Sequence, residues 1–301
     1  MTNRVIGRCI TGLLLIAVFA AILWLDWHLE SSSFPGHGWA RGPLVGLPLA
    51  TLLLVLICVG YRELSRLMAA AQVPVCGIMT LICAVVIGVG PFWRQALRLE
   101  PAIAEAATGL VLAGAIMLLF AEQLIRYRTS GAIRRLAGSL LAVCYLGVCS
   151  AVVLSIRIHM GLRAFILFIV VIKGTDIGAY LVGTFLGRRR LVPWLSGGKT
   201  WEGLLGGMAA AAICGVALGA EFGKPIGPIG AGTMLWWRAA LFGAVLGLIG
   251  QAADLCESAL KRDAGAKDSG RAIPTYGGAL DLVDSPLLAA PAAYLLLAAL
   301  Q

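Results

Sequence analysis

Nine runs of apolar residues, each about as long as a bilayer is thick, decide what this chain can fold into. They lie at roughly 6–25, 43–60, 75–92, 102–120, 138–156, 162–186, 201–220, 235–253 and 282–300. A helix needs about 20 such residues to cross the hydrocarbon core. The composition agrees: 60% of the 301 residues are hydrophobic and 13% charged, against about a quarter charged in a soluble domain. The mean hydropathy is +0.92, and a water-soluble fold has no means of covering so much apolar surface. The expectation is an all-α polytopic membrane protein of about nine transmembrane helices. Arg4 and Arg8 precede the first run as they would in a signal peptide, but the apolar run is long and no clear small-x-small cleavage site follows, so it reads as an uncleaved signal-anchor span.

The net charge of +9 does not call for nucleic acid. Lysine and arginine are retained on the cytoplasmic side of membrane proteins, next to anionic headgroups. Arg4 and Arg8, Arg62 and Arg66, the Arg126–Arg135 cluster, Arg188–Arg190 with Lys199, and Lys261–Arg271 all fall on one side of the span order. Fewer basic residues (Arg41, Arg94, Arg98, Arg157, Arg163, Lys224, Arg238) fall on the other. This predicts a cytoplasmic N-terminus and places the loops around 187–200 and 254–281 on the same cytoplasmic face. The eight cysteines contain no C-x-x-C, so neither a zinc site nor a disulfide framework is expected. His28, His37 and His159 read as residues of short loops away from the acidic residues, which argues against a histidine metal site.

Within this apolar chain the stretch from Gln251 to Ser285 stands apart, with six acidic and four basic residues between two hydrophobic runs. Such density at a membrane edge marks a site rather than a connector. Asp254, Glu257, Ser258 and Lys261 share one face if the preceding span continues as a helix. From Pro286 to Leu300 the chain is too short to span alone, so the last helix is expected to begin before Asp281. Carboxylates among many lysines and arginines are the composition of a divalent-metal and polyphosphate site. Upstream, R-R-R-L-V-P-W-L-S-G-G-K-T-W-E-G offers arginines, a Gly-Gly-Lys-Thr turn and a helix that Thr200 can cap, an anion site by composition. It is not a P-loop, because the upstream glycine and the soluble strand are missing. Lys173 and Asp176 lie inside a span, where an isolated charge is costly, so they face a partner or a cavity. Arg62, Glu63 and Arg66 read most simply as an interfacial ion-pair turn. Repeated glycines, including Gly178, Gly183, Gly243, Gly247 and Gly250, suggest close helix packing.

These motifs resemble the signature of the phosphatidate cytidylyltransferases, or CDP-diacylglycerol synthases. The shared residues are Ser258, Leu260, Lys261, Arg262, Lys267, Asp268, Gly270, Ile273, Pro274, Gly277, Gly278, Asp281, Val283 and Asp284, together with Asp176–Gly183, Ser196–Gly203 and Ala253–Ser258. The resemblance is strong in the C-terminal half. In the N-terminal half it rests on hydropathy and the Arg62–Glu63–Leu64 turn. Tyr276 stands where the family has His, Leu282 where it has Arg, Gly197 where Pro is usual, and Ala253 where Gly is common.

The resemblance implies transfer of a cytidylyl group from CTP to phosphatidate in phospholipid synthesis, with Mg²⁺. Carried over residue by residue, it assigns Asp254, Asp281 and Asp284 to metal, with Asp268 and Asp176 behind them. It gives Lys261, Arg262, Lys267, Asp268 and Tyr276 to the chemistry, and Asp176, Ser196, Lys199, Thr200, Glu202 and Ser258 to substrate binding. Residues 1–137 then form an N-terminal transmembrane scaffold and 138–301 a C-terminal transmembrane catalytic region, in one integral unit without a soluble domain. The expected setting is the cell membrane, multi-pass, with the site facing the cytoplasm. The expected partners are CTP, phosphatidate and membrane lipids but not nucleic acid, with a homodimer left open. Three alternatives remain: a CTP-dependent transferase or kinase on another membrane lipid, a catalytically impaired paralogue with a structural role, and a transporter using Lys173 and Asp176.

Overall fold

The computed structural model describes residues 2–33, 44–99, 101–221, 235–270, 272 and 277–300. The protein is built from long helices. Among the described residues eight are long and apolar enough to cross a membrane, or nine if one bent pair counts as a single span. The chain divides into two compact units, Met1–Leu154 with Asp263–Leu282, and Ser155–Arg262 with Val283–Gln301. The first thus runs beyond residue 137 and takes in part of the polar stretch.

In the first unit α1 (Thr2–Ser33) leads to α2 (Leu47–Ala70). His28 lies within α1 rather than in a loop. Leu13, Leu14, Ile16 and Trp24 of α1 are exposed, as expected of a surface meant for lipid. Asp26, fully buried, accepts the Gly46 N–H at 2.7 Å just ahead of α2. Gly46 holds φ +83°, a left-handed conformation that a side chain resists. The third span is broken into α3 (Ile78–Gly88) and α4 (Gly90–Ala96), bent by 49°. Gly88, Gly90 and Pro91 account for the break, since Pro91 can begin a helix but cannot continue one. Next come α5 (Pro101–Glu122) and α6 (Ala132–Ala142). The latter continues through π-helical turns and the short α7 (Cys149–Ser155) to Met160 as one span. Cys76, Cys83, Ile87, Ala115, Leu119 and Val143 form one buried cluster among these elements.

The second unit takes in the end of that span from Ser155 and continues with α8 (Leu162–Phe185), followed by a small antiparallel hairpin of β1 (Arg190–Val192) and β2 (Ser196–Thr200). The Gly-Gly-Lys-Thr segment is therefore a strand, and the chain reverses at Pro193–Leu195. Helices α9 (Trp201–Glu221), α10 (Trp236–Asp263) and α11 (Leu280–Leu300) complete the architecture. α8 and α9 meet backbone to backbone: a Cβ on Gly207 would lie 3.0 Å from the Thr175 carbonyl oxygen, and one on Gly203 2.9 Å from that of Ala179. The small residues thus act as expected, letting helices approach where no hydrophobic force drives them together. α10 runs as a helix through Asp263, well beyond its apolar run, and α11 begins at Leu280, ahead of Asp281.

Candidate active site

In the second unit, α10 and α11 bring three carboxylates together. Ligand oxygens of Asp254, Glu257 and Asp284 all lie within 4.8 Å of one another. Asp254 and Glu257 are three residues apart on α10 and so share a face. Glu257 is 2% exposed and Asp284 5%. Carboxylates this close and this buried repel one another unless a cation or a proton stands among them.

Two ammonium groups pair directly with these carboxylates. Lys199 of β2 pairs with Asp254 Oδ2 at 2.7 Å and donates to the Gln251 carbonyl at 3.0 Å. Lys261, one turn beyond Glu257, pairs with its Oε2. The hairpin that presents Lys199 is fastened at both ends. The Thr200 hydroxyl accepts the Gly203 N–H at 3.0 Å, capping α9 as its sequence position suggests. The Trp201 N–H reaches the Arg189 carbonyl at 3.0 Å. Glu202 Oε2 accepts the Arg188 and Arg189 N–H groups at 3.1 and 3.2 Å. Glu202, read from sequence as a substrate-binding residue, therefore holds the arginine run in place. Arg262 Nε lies 3.4 Å from the Leu195 carbonyl at the hairpin turn. Ser196 begins β2 and Ser258 sits half-buried on α10. On α8, Lys173 and Asp176 form the expected pair, 3.3 Å apart.

The remaining candidates fall in the first unit. Lys267 and Asp268 are exposed on the segment after α10. Asp281, in the first turn of α11, accepts the Gly278 N–H at 2.8 Å and the Ser269 N–H at 3.1 Å through Oδ2. Its carboxylate thus organises the loop backbone, and the three-carboxylate group contains Glu257 in its place. Tyr276 lies outside the described residues. The expected ion-pair turn on α2 is also different: Glu63 accepts hydrogen bonds from Ser269, Ala279 and Leu280. Glu257 was visible on the polar face of α10, but its i, i+4 spacing from Lys261 reads as an ordinary surface pair. Only its burial beside Asp254 and Asp284 sets it apart.

Three acidic side chains with two lysines can hold a divalent cation and a polyphosphate at once. Known proteins are similar to part of this chain. The phosphatidate cytidylyltransferase of Brucella suis is 38% identical over 135 residues, 45% of this chain and 47% of its own. That of Bacillus subtilis is 40% identical over 160 residues, 52% and 56% of the two chains. That of Synechocystis is 41% identical over 138 residues, 44% and 43%. The chain spans about half the length of the curated relatives it matches. The profile of the cytidylyltransferase family, in contrast, matches residues 6–300, and the chain belongs to that family.

Proposed function

We propose that this multi-pass membrane protein converts CTP and phosphatidate to CDP-diacylglycerol and pyrophosphate. The observation that carries this reading is the meeting of Asp254, Glu257 and Asp284 with Lys199 and Lys261. Family membership and the names of the relatives favour this transfer over other uses of the same groups.

The triad fits Mg²⁺. Oxygens around an octahedral ion at about 2.1 Å stand roughly 3–4 Å apart, and the three ligand atoms, within 4.8 Å, close that gap by small rotations. Asp254, Glu257 and Asp284 would hold the ion, which when bound supplies charge neutralisation on the triphosphate. The chain's own part is positioning. Lys199 and Lys261, which offset the carboxylates, would also reach the oxygens of a triphosphate bound there, and Arg188–Arg190 at the start of the hairpin add positive charge. An oxygen of the phosphatidate phosphate attacks the α-phosphorus of CTP in line. That P–O bond forms as the bond to the α–β bridging oxygen breaks, and the electron pair leaves with pyrophosphate. A monoester phosphate has its second pKa near ~6, so the nucleophile is largely dianionic at neutral pH and no side chain must take its proton. The concentration of arginine and lysine at 188–199 and 261–271 supports a site on the cytoplasmic face, with the N-terminus on the same side.

The test is pyrophosphate release by the purified chain in detergent. Release should require CTP, phosphatidate and Mg²⁺ together and fall at least about 100-fold in Asp254→Asn. Release that proceeds equally without phosphatidate would mean that the lipid is not the acceptor.

A further inference from the structure

Glu63 is a buried carboxylate that the reaction as described leaves without a task. It is 3% exposed, on α2, and it reaches a segment more than two hundred residues away in sequence. Oε1 accepts the Ala279 N–H at 3.0 Å, and Oε2 accepts the Leu280 N–H at 3.0 Å and the Ser269 hydroxyl at 3.3 Å. The Leu280 N–H opens α11 and the Ala279 N–H immediately precedes it, so no carbonyl within the helix can satisfy either. An anion there is also favoured by the helix dipole. Gly270 and Gly278 allow the approach: a Cβ at Gly270 would run into the Glu63 side chain, and one at Gly278 would lie 2.7 Å from Oε2.

The first turn of α11 has special need of such an anchor. Pro286 lies inside the helix, so the bond from residue 286 back to the Leu282 carbonyl is missing and the proline ring crowds that carbonyl. Asp281 binds the loop from within the turn, through Ser269 and Gly278. Glu63 binds it from another helix.

We propose that Glu63 is a positioning residue, fixing the opening turn of α11 and the loop before it, and through that turn the setting of Asp284, one turn along the same helix. The carboxylate touches neither nucleotide nor lipid; it acts by holding backbone. This rests on the proposed role of Asp284 as a cation ligand, and the experiment separates the two.

Glu63→Ala, Glu63→Gln and the parent are compared in detergent by hydrogen–deuterium exchange of the 277–285 segment and by Mn²⁺ binding followed by electron paramagnetic resonance. Pyrophosphate release is titrated with Mg²⁺ alongside. In Glu63→Ala the segment should exchange at least about tenfold faster, while α8 and α9 keep the parent rate. Mn²⁺ affinity should fall about 10- to 100-fold, the usual effect of losing a group that orients a ligand. Glu63→Gln keeps the shape but has one acceptor oxygen where the two amides use two, so it should fall between. Unchanged exchange at 277–285 overturns the proposal, as does faster exchange throughout the protein, which would make Glu63 a general stability residue. Local loosening with unchanged Mn²⁺ affinity also overturns it. Should the parent release no pyrophosphate, the cytidylyltransferase reading fails, while exchange and Mn²⁺ binding still decide the role of Glu63.

Discussion

Replacing Lys199 with Met should move metal affinity and turnover in opposite directions. The Lys199 ammonium lies 2.7 Å from Asp254 Oδ2, so a cation bound to that oxygen at about 2.1 Å would sit no more than about 5 Å from it. A single charge and a dication at about 5 Å repel by roughly 1.7 kcal/mol at the dielectric of water, and by several times more in a dry site. The pair is partly open, with side chains 15% and 34% exposed, so the lower part of that range applies. Removing the ammonium should therefore tighten Mn²⁺ binding about tenfold or somewhat more. The same change removes a charged donor to the triphosphate, about 2–3 kcal/mol, and should lower kcat/KM for CTP roughly 100-fold. Mn²⁺ binding by electron paramagnetic resonance and steady-state pyrophosphate release read the two effects separately. Weaker metal binding in Lys199→Met, or parental turnover, would refute the placing of Lys199 beside both ion and nucleotide.

Three further outcomes are expected. Asp284→Asn, which keeps the buried shape but removes one of three carboxylate charges, should lower pyrophosphate release at least about 100-fold, with the secondary structure unchanged by circular dichroism. Thr200→Val removes the hydroxyl that caps α9 and should lower stability by about 1 kcal/mol, read as a lower unfolding midpoint in detergent, whereas Thr200→Ser should restore it. Under the proposed reaction, in which no side chain has to take the proton of the lipid phosphate, Tyr276→Phe should lower turnover and Tyr276→His should match or exceed the parent.

The spans were legible because a membrane imposes a length on apolar runs that no tertiary contact has to supply. The same rule placed the start of α11 before Asp281, since fifteen residues cannot cross a bilayer. Amphipathic spacing also revealed the extension of α10, where Asp254, Glu257, Ser258 and Lys261 keep one face in register. The break at Gly88–Pro91 carried a local signal, two glycines and a proline, within a run whose hydropathy hid it. What stayed hidden depended on distant partners. Ser196–Thr200 has the glycines of a turn and becomes a strand because Glu202 and Trp201 tie it to Arg188 and Arg189. Glu63 sits between two arginines that look like its partners, and its hydrogen bonds go to residues more than two hundred positions away. Asp281 and Asp284 read as equivalent by their i, i+3 spacing. Yet Asp281 opens the helix and takes up loop amides, while Asp284, one turn further in, joins the carboxylates of α10.

The central claim is the direction of group transfer, and a double-label experiment tests it most directly. The purified protein in phosphatidate-containing micelles is given Mg²⁺ and CTP carrying phosphorus label either at the α or at the γ position. The lipid and aqueous phases are then separated and counted. Cytidylyl transfer predicts α-label in the lipid phase and γ-label in the water as pyrophosphate, in equal amounts. γ-Label in the lipid, with the α-label left behind in CDP, would identify a lipid kinase and contradict the account.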